Sequence, residues 1–344
     1  MSRFSELYID RRGFLTAVGA TAGAAAFGGL GTHEAEARAA MRYTQAPYFH
    51  RFRHGAMEAT VVSDGPLPLG EPSATFLGIS KDEVGKLLAD NFLPANNVVL
   101  EQNALVINTG KELVLFDSGM GSSKMFGKTT GRLTQSLRES GINPESIDAV
   151  VCTHGHIDHI GGLATIKGKR VFPNAKIYMS KADHDFWTDE KKLSDPKVKA
   201  FIEHARLNLL PYKDRIVFVD DGKEFLPGIQ AMSAPGHTVG HTVFMITSEG
   251  KSLCNIGDTT HHQVLLTERP RVEFAYDTDP KKAVESRVKL LSMLAEKKIP
   301  LLAYHFPYPG IGHVAKQGDG FRYFAAPMNM IIEKPAPAAP AKKS

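Results

Sequence analysis

The sequence predicts an α/β fold with two strand-rich halves. Short apolar runs of strand length alternate with longer helical patterns along most of the chain. Several of these runs end in a histidine or an acid, as strands do when their exits carry a site. With 344 residues, 42% of them hydrophobic and 23% charged, the chain can bury a sizeable core without disulfide staples.

The elements follow in order. Residues 57–62 and 104–108 read as strands, and 112–117 is an apolar run that ends in Asp117 and enters Ser118-Gly119. A helix is expected over 130–139, closed by Gly141. Residues 149–153 form a continuously apolar run, the pattern of a buried strand, and Lys176–Met179 is another short strand. Helical patterns cover 182–191 and 197–209, and strands are expected at 215–219, 242–246 and 251–256. Pro280–Lys297 reads as a long amphipathic helix with Val284, Val288, Leu291 and Leu294 on one face. Residues 301–304 form a last buried strand that leads into His305. Cys152 and Cys254, the two cysteines, each lie in an apolar run and read as buried thiols.

Three regions organise the chain. Residues 1–39 read as a cleavable export signal: Arg11-Arg12, then a weakly apolar stretch rich in Ala and Gly, then small-x-small sites at Ala35-Glu36-Ala37 and Ala37-Arg38-Ala39. The adjacent arginines resemble the twin-arginine class, which implies a periplasmic or secreted protein. A membrane anchor is the alternative for this stretch, and it is short and Gly-rich for a span of about 20 apolar residues. The signal carries four basic and four acidic residues, so its removal leaves the net charge of +4 unchanged. Residues 40–333 form the folded domain, and 334–344, almost entirely Pro, Ala and Lys, read as a disordered tail. No basic run interleaved with aromatics marks a nucleic-acid site, and no segment after the signal reads as a membrane span.

The chemistry concentrates in Thr153-His154-Gly155-His156-Ile157-Asp158-His159. Three imidazoles and a carboxylate this close are costly to bury unpaired. Zinc resolves the cost, since it takes neutral His nitrogen and carboxylate oxygen at about 2.0–2.2 Å. His154 and His156, at i and i+2 in extended backbone, can point to one side. Further candidate ligands stand at His237 in Pro235-Gly236-His237-Thr238, at Asp258 in Gly257-Asp258, and at His305.

This series, HxHxDH, PGHT, GD and a late His, resembles the motifs of the metallo-β-lactamase superfamily over nearly the whole of 40–333. The resemblance implies an αββα sandwich with the site along one edge of its two sheets. It implies one metal on His154, His156 and His237, a second on Asp158, His159 and His305, and Asp258 bridging. Asp117, in Phe116-Asp117-Ser118-Gly119, matches the acid that orients a ligand in that family. Two divalent ions are expected, zinc first, although iron or a mixed pair could use the same ligands. Such a pair shares a hydroxide that attacks a carbonyl or phosphorus, with Asp158 or Asp258 moving the proton to the leaving group. His241, His261 and His262 are expected to support the ligands or lie at the surface, and His313 to line the pocket without ligating.

Phe186-Trp187 after Ala182-Asp183, Ser63-Asp64-Gly65, and the segments 306–313 and 320–323 resemble the methyl parathion hydrolase branch. There an aromatic cluster receives the leaving group, and Phe126, Trp187 and Phe201 are the matching positions. The expected reaction is hydrolysis of an organophosphate triester or aryl ester. The alternative is an N-acyl-homoserine lactonase or other lactone or carboxylic ester hydrolase. A glutathione thioesterase is disfavoured because no basic cluster is present to receive the peptide carboxylates. A metal-binding module without turnover is the reading from a different class. The expected partner is a small ester or lactone, with no nucleic acid and, after signal cleavage, no membrane; a homodimer is left open.

Overall fold

A computed structural model describes residues 49–328. The export signal and the tail fall outside the described residues, as do the first residues of the expected domain. Two seven-stranded sheets form the centre, and each follows chain order from edge to edge. The first runs Phe49–His54, Met57–Ser63, Asn103–Asn108, Leu113–Phe116, Ala149–Val151, Lys176–Met179 and Ile216–Phe218. Its first four strands are antiparallel and the rest parallel. The second runs Glu224–Leu226, Ile229–Ser233, Thr242–Ser248, Lys251–Asn255, Leu301–Leu302, Ile311–Gln317 and Gly320–Ala325. Only Lys251–Asn255 and Leu301–Leu302 pair in parallel there, because a helix must carry the chain back between them.

The helices are α1 (Lys81–Asp90), α2 (Leu133–Glu139), α3 (Ile157–Ile160), α4 (Lys181–Thr188), α5 (Lys199–Leu209) and α6 (Pro280–Lys297). Strand alternation sorts the core into layers. Leu105, Ile107, Val114 and Phe116 meet Ile229, Ala231, Phe244 and Ile246 between the sheets. Ala104, Val106 and Leu115 turn the other way, against Leu133 and Leu137 of α2 and Ile202 and Leu209 of α5. Val243, Cys254, Leu301 and Val314 pack beneath Leu290, Leu291 and Leu294 of α6. The result is the expected αββα sandwich. The two cysteines are free and buried, and they lie in the two outer layers.

Several expectations need correction. The buried face of α6 is Ala283, Arg287, Leu290, Leu291 and Leu294; Val284 and Val288 are only half-buried. An arginine at a core position defeats a reading based on apolar residues alone. The helix expected from residue 130 begins at Leu133, since Gly131 takes φ +80°. There the Leu133 N–H donates to Asp64 Oδ1, a cap supplied from far along the chain. An apolar lobe also went unread: Leu67–Gly70 pairs with Val98–Leu100, and Phe76–Leu77 pairs with Glu273–Phe274, around α1. These strands are two to four residues long, too short to show a period. Among the described residues no helix is long and apolar enough to cross a membrane.

Candidate metal centre

Strand exits assemble the site. His154 and His156 follow Ala149–Val151, and Asp158 and His159 stand on the single turn of α3. From the other sheet come His237 after Ile229–Ser233, Asp258 after Lys251–Asn255 and His305 after Leu301–Leu302. All seven are buried. Their donor atoms form two groups, His154–His156–His237 and Asp158–His159–Asp258–His305.

Hydrogen bonds fix which nitrogen four of the five imidazoles present. His159 Nδ1 donates to Asp117 Oδ2 at 2.9 Å, His237 Nδ1 to Asp277 Oδ1 at 2.8 Å, and His305 Nδ1 to the Glu101 carbonyl at 2.8 Å. The Thr153 hydroxyl donates to Asp117, so it accepts from His154 Nδ1 at 3.0 Å. In all four rings Nε2 is thereby left as a lone pair aimed inward. His237 Nε2 lies 3.1 Å from His154 Nε2 and 2.9 Å from His156 Nδ1. Three ring nitrogens converge, and they require a cation or a proton among them. In the second group His159 Nε2 and His305 Nε2 each lie 3.2 Å from Asp258 Oδ2, and His159 Nε2 and Asp258 Oδ1 are buried without any hydrogen-bond partner.

Electrostatics agree with this reading. Burial, reinforced by neighbouring imidazoles, holds His154 and His156 well below the usual histidine range, so both are neutral donors. Burial also opposes charge on His237 and His305, but Asp258 with Asp277 or Asp158 prevails and raises both to about 9. The acids draw positive charge into the site, and divalent cations supply it at the same atoms. The donor set fits two metals, one on His154, His156 and His237 and one on Asp158, His159 and His305, with Asp258 between them.

The supporting residues differ from expectation in part. Asp117 stands where predicted, accepting His159 Nδ1–H and the Thr153 N–H. Of the two expected alternatives His241 takes the supporting one, its Nε2 accepting the Asp258 N–H; His262 is buried, its Nδ1 accepting the Val264 and Leu265 N–H groups. His261 sits inside the site, with Nε2 3.0 Å from Asp258 Oδ2 and its ring stacked on Phe274. His313 is exposed on its strand and does not line the cavity.

Two acids carry roles that the sequence did not assign. Asp277 orients His237 from 40 residues away, and Arg287 stands behind it with Nη2 3.6 Å from Asp277 Oδ2. Asp183 joins two ligand loops. No local pattern marks either, because their partners are distant in sequence.

Above the ligands lies a cavity that opens to solvent. Its walls are Leu67, Leu69, Leu100, Phe126, Phe201, Phe274 and Tyr276, and among the described residues no Lys or Arg lines it. Phe126 and Phe201 thus reach the position expected of them. Trp187 does not. It is 3% exposed and packs behind His156 at a ring distance of 4.9 Å, filling the space that the missing Gly155 side chain leaves. The expectation that it faces the substrate is corrected on that ground.

Comparison with known proteins extends these findings. Residues 98–303 match the profile of the metallo-beta-lactamase superfamily. The dizinc quorum-quenching lactonase AidC superposes with a TM-score of 0.76 at 31% identity, covering 82% of this chain and 99% of AidC. Hydrolase AbOPH of the beta lactamase superfamily does so with a TM-score of 0.77 at 30% identity, covering 83% and 100%. The N-acyl homoserine lactonase AiiA of Bacillus thuringiensis subsp. kurstaki is 24% identical over 70% of this chain and 82% of its own. These relatives are described as two lactonases and a hydrolase, which removes the reading of a module without turnover. With sandwich, ligand series and profile in agreement, the chain belongs to the metallo-beta-lactamase superfamily and is a metallo-hydrolase.

Proposed function

We propose that this protein is a dizinc lactonase acting on N-acyl-homoserine lactones. The observation that carries the reading is the cavity: an apolar trough with no cationic side chain among the described residues, floored by the two metal groups. Such walls suit a neutral substrate with an aliphatic acyl chain. The lactonase relatives favour the same substrate class over the organophosphate expected first.

Bound metals supply Lewis acidity and an activated water for attack on the acyl carbon. The chain does the rest. Leu67, Leu69, Leu100 and Phe126 receive the acyl chain and exclude water from it. The Tyr276 hydroxyl and His261 are the polar groups of the cavity outside the ligand set, and they hydrogen-bond the substrate carbonyls. Asp258, whose Oδ1 has no hydrogen-bond partner, carries the proton to the departing ring oxygen. An Asp258→Asn protein that keeps both metals and full rate removes that role.

A second reading rests on Phe126 and Phe201, two aromatic rings in the wall of one cavity, which suit a flat leaving group such as a nitrophenolate. The deciding assay compares initial rates of the purified zinc-loaded protein on N-hexanoyl-homoserine lactone and on a nitrophenyl phosphotriester. A lactone rate at least tenfold higher is expected. The opposite preference replaces the lactonase reading with the phosphotriester one.

A further inference from the structure

Asp183 is fully buried and belongs to neither metal group. It stands in the first turn of α4, which Ser180 caps. Its Oδ2 accepts the Gly155 N–H at 2.5 Å, and its Oδ1 accepts the Gly240 N–H at 2.8 Å. Gly155 lies between the ligands His154 and His156 on a loop of the first sheet. Gly240 lies three residues beyond His237 on a loop of the second. One carboxylate therefore ties together the two loops that supply all three imidazoles of the first metal group.

The grip has a sequence basis. A side chain on Gly155 would collide with Trp187 of α4, and one on Gly240 with Ser180 and Asp183. Only glycine lets both N–H groups reach the helix. Ser180 Oγ adds a bond to the Gly240 carbonyl at 2.8 Å. The second metal group has supports of its own: Tyr304 Oη donates to the Asp158 carbonyl at 2.7 Å, and Asp117 holds His159 directly, reaching His154 only through the Thr153 hydroxyl.

We propose that Asp183 is a positioning residue for the first metal site, clamping the His154/His156 loop to the His237 loop so that three imidazole nitrogens converge. The inference rests on the metal donors alone and stands whichever substrate the enzyme takes. In Asp183→Asn one acceptor becomes an amide donor facing a backbone N–H, and one loop is released.

The test measures bound zinc and its two dissociation constants by titration against a competing chelator, with the thermal midpoint of the metal-free protein alongside. Asp183→Asn is expected to weaken one zinc at least tenfold and the other less than threefold. Asp64→Asn is the matched control: Asp64 is also fully buried and accepts three N–H groups, from Met120, Gly131 and Leu133, but holds a loop with no ligand. It should keep two zincs. Combined with His156→Ala, Asp183→Asn should lower the zinc count no further; combined with His305→Ala, it should leave almost none. If Asp183→Asn does not fold, Ser180→Ala reads the same clamp and should weaken one zinc severalfold. Two unchanged constants, or equal weakening of both zincs, overturns the proposal.

Discussion

Replacing Arg287 by Met tests how the second sheet holds His237. Arg287 is completely buried in α6. Its Nε donates to the Thr259 carbonyl at 2.9 Å, and its Nη1 donates to the Pro270 and Val272 carbonyls at 3.1 and 2.6 Å. Its Nη2 faces Asp277, whose other oxygen accepts His237 Nδ1–H. Methionine fills much of the volume but leaves Asp277 and three carbonyls without their cation. Removing one partner of a buried pair costs about 3–5 kcal/mol. At roughly 2–4 °C per kcal/mol in a domain of this size, the midpoint should fall by roughly 6–20 °C. Thermal unfolding with chelator present measures this free of metal linkage. Adding Asp277→Leu removes the stranded charge, so stability should largely return. Zinc affinity at the first site should still fall about 10–100-fold, because His237 has lost its orienting acid. A midpoint shift below about 3 °C for Arg287→Met would refute the reasoning, showing that the pair's desolvation cost already cancels its attraction.

Other predictions follow from the same geometry. Asp117→Asn should weaken zinc at the second site about 10–100-fold, measured by chelator competition, because His159 Nδ1 loses its carboxylate. The metal-free protein should lose stability as pH rises from 6.5 to about 9. His237 and His305 are raised to about 9, so their contribution is full below 6.5 and disappears as they deprotonate. Melts at pH 6.5 and 9.5 check this, and the zinc-loaded protein should lack the drop; an unchanged or rising metal-free midpoint contradicts it. Export by the twin-arginine-like signal, outside the described residues, is a proposal: lysines at Arg11 and Arg12 should leave the protein in the cytoplasm by fractionation.

The seven candidate ligands were legible in the sequence because their chemistry is local: five follow the exits of apolar strands, Asp158 and His159 stand on the turn just beyond one, and neutral imidazoles in such density demand a cation. The α/β alternation and the two halves were legible for a similar reason, since burial imposes period 2 or 3.6 on neighbours. Tertiary structure decided what distant residues do to one another. Asp64 caps α2 across 69 residues, Asp277 and Arg287 set His237 from another element, and Asp183 joins loops 85 residues apart. Trp187 and Phe201 follow one another along one stretch of chain, yet packing sends the first behind His156 and the second into the cavity wall. Hydrophobicity says only that an aromatic ring will be covered; which surface covers it depends on where the helices come to rest.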